Sequence, residues 1–111
     1  MQIIERKQIG DVHVWSIDGG LDHTTHDQFV TEMDRILKAG ERKVVLDFGR
    51  LTYISSVALG TLIRVQARFK KSGASLKFAG LHTNVTEILR FAHLDRVFDL
   101  YKNVNEAVAT F

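Results

Sequence analysis

Two adjacent hydroxyls, Ser55 and Ser56, stand where the chain passes from the apolar run Val44-Val45-Leu46 to a segment with Ala58, Leu62, Val65 and Phe69 at helical spacing. Serine suits such a junction because its side-chain oxygen accepts from the unpaired N–H groups of a helix's first turn. The plain reading of this pair is therefore a helix cap. A hydrolytic nucleophile is the alternative, but Ser56 lacks the flanking glycines of a nucleophile elbow. Histidines 13, 23, 26, 82 and 93 are the other candidates for chemistry. His23 and His26 are spaced like neighbours on one helical turn, and His82 could share their end of the fold. A zinc site needs further ligands and supporting partners that the pattern does not announce, so these two read as solvated residues at a helix start. Neither G-x-x-x-x-G-K-[ST] nor G-x-G-x-x-G occurs, and Gly19-Gly20 reads as a tight turn rather than a phosphate cradle.

The elements that must position these groups alternate between two periodicities. Ile3 to Ile9 and Val12 to Ile17 read as strands joined by the turn dipeptide Gly10-Asp11. The second carries apolar residues on both faces, as an interior strand does. Thr24 or Thr25 then caps a helix whose buried stripe is Phe29, Met33, Ile36 and Leu37; Gln28 stands at capping-box spacing from Thr25, and Ala39-Gly40 closes the helix. A buried strand follows at 43–48, then the helix at about 57–71, a short strand at 75–79, and a helix in which Asn84 and Glu87 have capping-box spacing. Val97 to Tyr101 reads as the last strand, and Asn103 caps a terminal helix. Alternating strands and helices predict an α/β fold: a mixed, mostly parallel sheet of about five strands packed against about four helices. In such sheets sites form beyond the carboxyl ends of the strands. Asp18 to Thr25, Gly49 to Val57 and Gly80 to Asn84 are expected on that rim.

The run Asp47-Phe48-Gly49-Arg50-Leu51-Thr52-Tyr53-Ile54-Ser55-Ser56-Val57-Ala58-Leu59-Gly60 resembles the D-x-x-x-L-x-x-(I/M)-D-S-x-G-L segment of STAS domains of the anti-sigma factor antagonist type. It departs from that pattern at Ser55, where the family has an acidic residue, and at Ala58, where it has glycine. Gly19-Gly20-Leu21-Asp22 is similar to the family's G-x-L-D turn. Leu94 to Phe98 followed by Asn105-Glu106-Ala107-Val108 is similar to its closing strand and helix, so the likeness spans nearly the whole chain. It implies a single STAS-like domain over residues 1–111 and phosphorylation of Ser56 by a serine protein kinase that is itself the anti-sigma factor. The unphosphorylated antagonist would bind that kinase, and a phosphatase would reset it. The kinase carries ATP and magnesium, so this chain is expected to need no cofactor or metal and to have no catalytic activity. The alternative, raised by Ser55, is a STAS scaffold or transport-complex subunit that is never phosphorylated.

The partner surface expected from this reading comprises Asp22, Ser55 and Ser56. Arg64, Arg68 and Lys71 form a basic stripe on the helix after Ser56. Such a stripe is by default a solvated face; its sharper reading is a docking surface that steers an acidic partner, extended by Arg50 and His82. The remaining composition sets limits. A chain of 111 residues with 45% hydrophobic and 25% charged residues suits one globular domain. A formal charge of +2 is too small to point to nucleic acid. No apolar run approaches the ~20 residues of a membrane span. The absence of cysteine and of a signal-peptide pattern at Met1 to Lys7 leads to the expectation of a cytoplasmic protein.

Overall fold

The computed structural model describes residues 1–111. Strand β1 (Gln2–Ile9) and strand β2 (Val12–Leu21) form an antiparallel hairpin, turned at Gly10 with its positive φ of 61°. Helix α1 (His26–Lys38), strand β3 (Lys43–Asp47), strand β4 (Leu51–Ile54) and helix α2 (Ser56–Lys71) follow. Strand β5 (Ser75–Ala79), helix α3 (Thr83–Phe91), strand β6 (Asp99–Tyr101) and helix α4 (Val104–Ala109) complete the chain. The sheet runs β1-β2-β3-β5-β6, with every pairing after the hairpin parallel. The mixed, mostly parallel α/β architecture expected from the alternation of elements is therefore present, with six strands rather than about five.

The additional strand is β4. It pairs with Gly19 to Leu21 at the far end of β2, while β3 occupies Val12 to Ser16 on the same strand. The ten-residue length of β2 lets two successive strands share one edge. Between them the chain sidesteps at Phe48-Gly49-Arg50. The Asp47 carboxylate accepts from the Gly49 N–H at 2.9 Å, and the Arg50 carbonyl then accepts from Gly19 N–H at 3.0 Å. What reads in sequence as a polar connection is a turn that re-enters the sheet. At the other end, the expected strand at 97–101 is confined to Asp99–Tyr101.

Burial follows strand alternation. Trp15, Ile17, Val44, Leu46, Leu76 and Phe78 pack on one face against Phe29, Met33 and Ile36 of α1, Leu62, Val65 and Phe69 of α2, and Leu89 of α3. Val12, Val14, Val45 and Ala79 point the other way, onto Ala107 of α4. Lys77 lies on that second face and is buried. Its ammonium donates to the Thr110 hydroxyl and to Tyr101 Oη at 3.3 Å, and lies 4.4 Å from the Phe111 ring centroid. Phe78 holds the centre of the main core, its ring 5.5 Å from that of Phe48 and 5.1 Å edge-on from that of Phe98. Replacing Phe78 with alanine removes both contacts and leaves a cavity at the centre of the core. It is expected to cost ~3–5 kcal/mol, measured by equilibrium denaturation.

Candidate functional site

The rim beyond the carboxyl ends of the strands is organised by Asp22. Its buried carboxylate accepts from the Thr24 N–H at 2.8 Å, the Thr24 hydroxyl at 2.6 Å and the Tyr53 hydroxyl. Its carbonyl accepts from the His26 N–H at 2.9 Å, which starts α1. Tyr53 reaches Asp22 from β4 because Gly20 carries no side chain. A Cβ at Gly20 would stand 2.2 Å from Tyr53 Cε1, inside the ring's own volume. Tyr53 itself is 51% exposed, an aromatic ring lying open on the rim. In sequence it gave only the signal of an aromatic residue in a short polar stretch, and it was not among the expected contact residues.

One residue along from β4 the backbone is fixed again. The Ser55 N–H donates to the Leu21 carbonyl at 3.0 Å, so the start of α2 hangs directly from the end of β2. Asp22, Ser55 and Ser56 are thus brought to one end of the sheet. The cap of α2 is Ser55, not Ser56. Ser55 is extended at φ −91° and ψ 166°, and its Oγ accepts from the Ala58 N–H at 3.2 Å. Ser56 is the first helical residue, and it is exposed. Its N–H and that of Val57 precede the first intrahelical acceptor. Ala58 is fully buried, so its methyl group, absent from the glycine of the resembled pattern, is accommodated in the core.

Two further caps differ from expectation. Thr25 precedes α1 but makes no capping bond; its hydroxyl accepts from the Asp22 N–H at 3.0 Å and donates to the Gly20 carbonyl at 2.9 Å. Gln28 points to the Met1 carbonyl at 3.4 Å instead of closing a capping box. Asn84 lies inside α3, whose N-terminal neighbour is His82. The His82 Nε2–H donates to the Gly49 carbonyl at 3.1 Å and ties the start of α3 to the β3–β4 turn. His82 therefore does not join His23 and His26. Of that pair His23 is exposed, while His26 is partly buried with Nδ1 lacking a hydrogen-bond partner.

The basic stripe on α2 separates into different situations. Arg68 is engaged: its Nη1 donates to both carboxylate oxygens of Asp34 on α1, each at 2.7 Å. Arg64 is exposed and donates only to the neighbouring Thr61 hydroxyl at 3.2 Å. Lys71 is exposed at the helix end. Arg50 stands 4.0 Å from Asp18 with most of its side chain in solvent. Near the serines in the chain, the apolar residues Tyr53, Val57 and Ile63 are exposed. No helix is long and apolar enough to cross a membrane.

A family model described as the STAS domain matches residues 4–107. A candidate anti-sigma factor antagonist of Bordetella bronchiseptica, BtrV, is 28% identical over 95 residues, covering 86% of this chain and 82% of that protein. The crystal structure of a candidate anti-sigma factor antagonist from Thermotoga maritima superposes with a TM-score of 0.85 at 23% identity, over 94% of this chain and 90% of the other. SpoIIAA, an anti-sigma factor antagonist and Bacillus cell fate determinant, has known structures in unphosphorylated and phosphorylated forms. The phosphorylated form superposes with a TM-score of 0.70 at 14% identity, covering 98% of both chains. At these identities the structural likenesses establish the fold.

Exchanging the two hydroxyls one at a time separates their roles. Ser55→Ala is expected to cost ~0.5–2 kcal/mol through the lost cap, whereas Ser56→Ala leaves stability nearly unchanged in the same denaturant titration. Acidity gives a second check. Hydrogen bonds from the Thr24 hydroxyl, the Tyr53 hydroxyl and the Thr24 N–H hold the Asp22 carboxyl well below the usual carboxylate range. The bond to Asp22 pushes the Tyr53 phenol up. A depressed carboxyl contributes stability above its unfolded value of ~3.9 and loses it as pH falls through the folded one. A raised phenol contributes stability below its unfolded value of ~10 and loses it as pH rises through the folded one. The Asp22–Tyr53 contact is thus intact between these limits. Wild type is expected to lose stability more steeply than Asp22→Asn below pH ~4 when the melting temperature is followed against pH.

Proposed function

From the chain's membership of the STAS domain family, we propose that it is an anti-sigma factor antagonist-like signalling protein, switched by phosphorylation of Ser56 and without catalysis of its own. Its partner is a serine-kinase anti-sigma factor, and a phosphatase resets it in the cytoplasm, with residues 1–111 acting as one domain. The observation that carries the reading is the position of Ser56. It is an exposed hydroxyl on the first turn of α2, beside exposed Tyr53 and Val57 and held at the rim by the Ser55–Leu21 bond.

The switch follows from electrostatics. A phosphoryl group on Ser56 brings ~1.5–2 negative charges to the amino end of α2. The helix dipole and the free N–H groups of Ser56 and Val57 favour charge there by ~0.3–1 kcal/mol. The fold therefore tolerates the modification. A partner packed over Tyr53, Val57 and Ser56 has to desolvate the same charge, which costs several kcal/mol without a matching cation. Binding changes while the fold does not. Asp22 supports this surface by fixing Tyr53, and Ser55 supports it by capping the helix. Arg64 is free to meet an acidic partner segment; Arg68 contributes only where its pair with Asp34 opens.

A second reading is favoured by one observation. Ser55 occupies the place of the resembled motif's acidic residue, and a kinase that recognises that carboxylate would pass this chain by. The chain would then be a scaffold or transport-complex subunit. Phosphate mapping by mass spectrometry on protein from its host decides between them, with phosphate on Ser56 expected. Ser56→Asp is expected to stay folded and to bind the anti-sigma kinase at least ~tenfold more weakly, a loss of ~1.4 kcal/mol or more. Ser56→Ala binds like wild type. Ser55→Asp is tolerated, since aspartate also caps helices well. Affinity indifferent to Ser56→Asp, or phosphate on Ser55 alone, would leave Ser56 without a switching role.

A further inference from the structure

At the opposite end of the sheet from Ser56, where β2 begins and α1 gives way to β3, three side chains from separate segments converge. His13 Nδ1 lies 3.0 Å from Glu5 Oε1 and 3.4 Å from Glu41 Oε1, and the three ligand atoms all lie within 4.8 Å of one another. We propose that Glu5, His13 and Glu41 form a binding site for a divalent transition-metal ion of the zinc class.

The geometry carries this. A tetrahedral zinc ion with bonds of ~2.0–2.2 Å holds its ligand atoms ~3.3–3.6 Å apart. The two separations from His13 fall at or within a few tenths of an ångström of that edge. One imidazole and two carboxylates are the borderline nitrogen and hard oxygen donors that suit zinc, with a fourth position left to water. The set is built rather than incidental in two respects. The β1–β2 register slips between Glu5 and Lys7, a bulge that pairs Glu5 with Trp15 and so sends its side chain to the His13 face. Glu41 is fixed by its surroundings: the Trp15 indole N–H donates at 2.9 Å to Oε1, the same oxygen that faces His13, and so sets the orientation of the carboxylate. Its side chain is only 11% exposed, which limits competition from water. The Arg35 guanidinium lies 6.0 Å over the Trp15 ring, but its hydrogen bonds go to Glu32.

The test is calorimetric titration of zinc chloride into the full chain at neutral pH, with a melting-temperature readout. One ion per chain is expected, stabilising the fold because it ties β1, β2 and the segment before β3 together. His13→Ala and Glu41→Gln are each expected to weaken binding at least ~tenfold, and Trp15→Phe by ~10–100-fold through loss of the orienting N–H. Glu5→Gln, on an exposed edge strand, should fold even where the others do not. X-ray absorption of the zinc-loaded wild type should show one imidazole with oxygen neighbours, a readout that needs no variant. His23→Ala and His26→Ala should bind zinc as wild type does. No zinc binding by wild type would overturn the proposal. Binding unchanged by Glu5→Gln and His13→Ala, or lost with His23 or His26, would overturn it as well.

Discussion

The rim depends on a buried carboxylate that has no cation beside it as a close partner. Asp22 is satisfied by the hydroxyls of Thr24 and Tyr53 and by the Thr24 N–H. Because Thr24 lies in the turn before α1 and Tyr53 on β4, satisfying one charge fixes two segments at once. The turn into α1, the orientation of β4 and the exposed ring of Tyr53 all follow from it. Leaving a buried charge short of partners is costly, so the two segments hold each other in place. Gly20 is the steric condition for the arrangement, since any side chain there would occupy the space of the Tyr53 ring.

The same end of β2 sets the position of Ser56. The Leu21 carbonyl receives the Ser55 N–H, and the Ser55 hydroxyl receives that of Ala58. One serine is thereby consumed by structure and its neighbour is left free in solvent. Adjacent residues of identical chemistry acquire different work because a helix start has a single cap position. A modification on the free one leaves the hydrogen bonds that hold the loop untouched.

Much of this was legible in the amino-acid sequence, and the remainder was not for identifiable reasons. Val44-Val45-Leu46 and the stripes of α1 and α2 announce themselves because burial imposes a period on them. The gathering of Asp22 and Ser55 at one end follows from the parallel alternation of elements, and the STAS-like motif named the same loops. Strand β4 was hidden because Thr52 and Tyr53 both face water, so its four residues show neither alternation nor a buried run. The capping box expected at Thr25 is absent because the Gly20 carbonyl took the Thr25 hydroxyl, and the one expected at Asn84 because α3 begins at Thr83, ahead of it. Arg68 read as a free cation, yet its partner Asp34 lies on another helix at a separation no local pattern records. The Glu5–His13–Glu41 group was invisible for the same reason: three segments contribute to it, and a bulge decides which way one of them points.

That bulge bears on how the protein coexists with other chains. β1 is an outermost strand eight residues long, which would offer a row of unpaired backbone groups to any passing extended peptide. The slip between Glu5 and Lys7 interrupts the row, and the charges of Glu5, Arg6 and Lys7 make stacking a second copy there electrostatically awkward. The opposite border, β6, is only three residues long. A sheet blunted at both borders resists unplanned strand addition, so contact with other chains falls to side chains rather than to unpaired backbone.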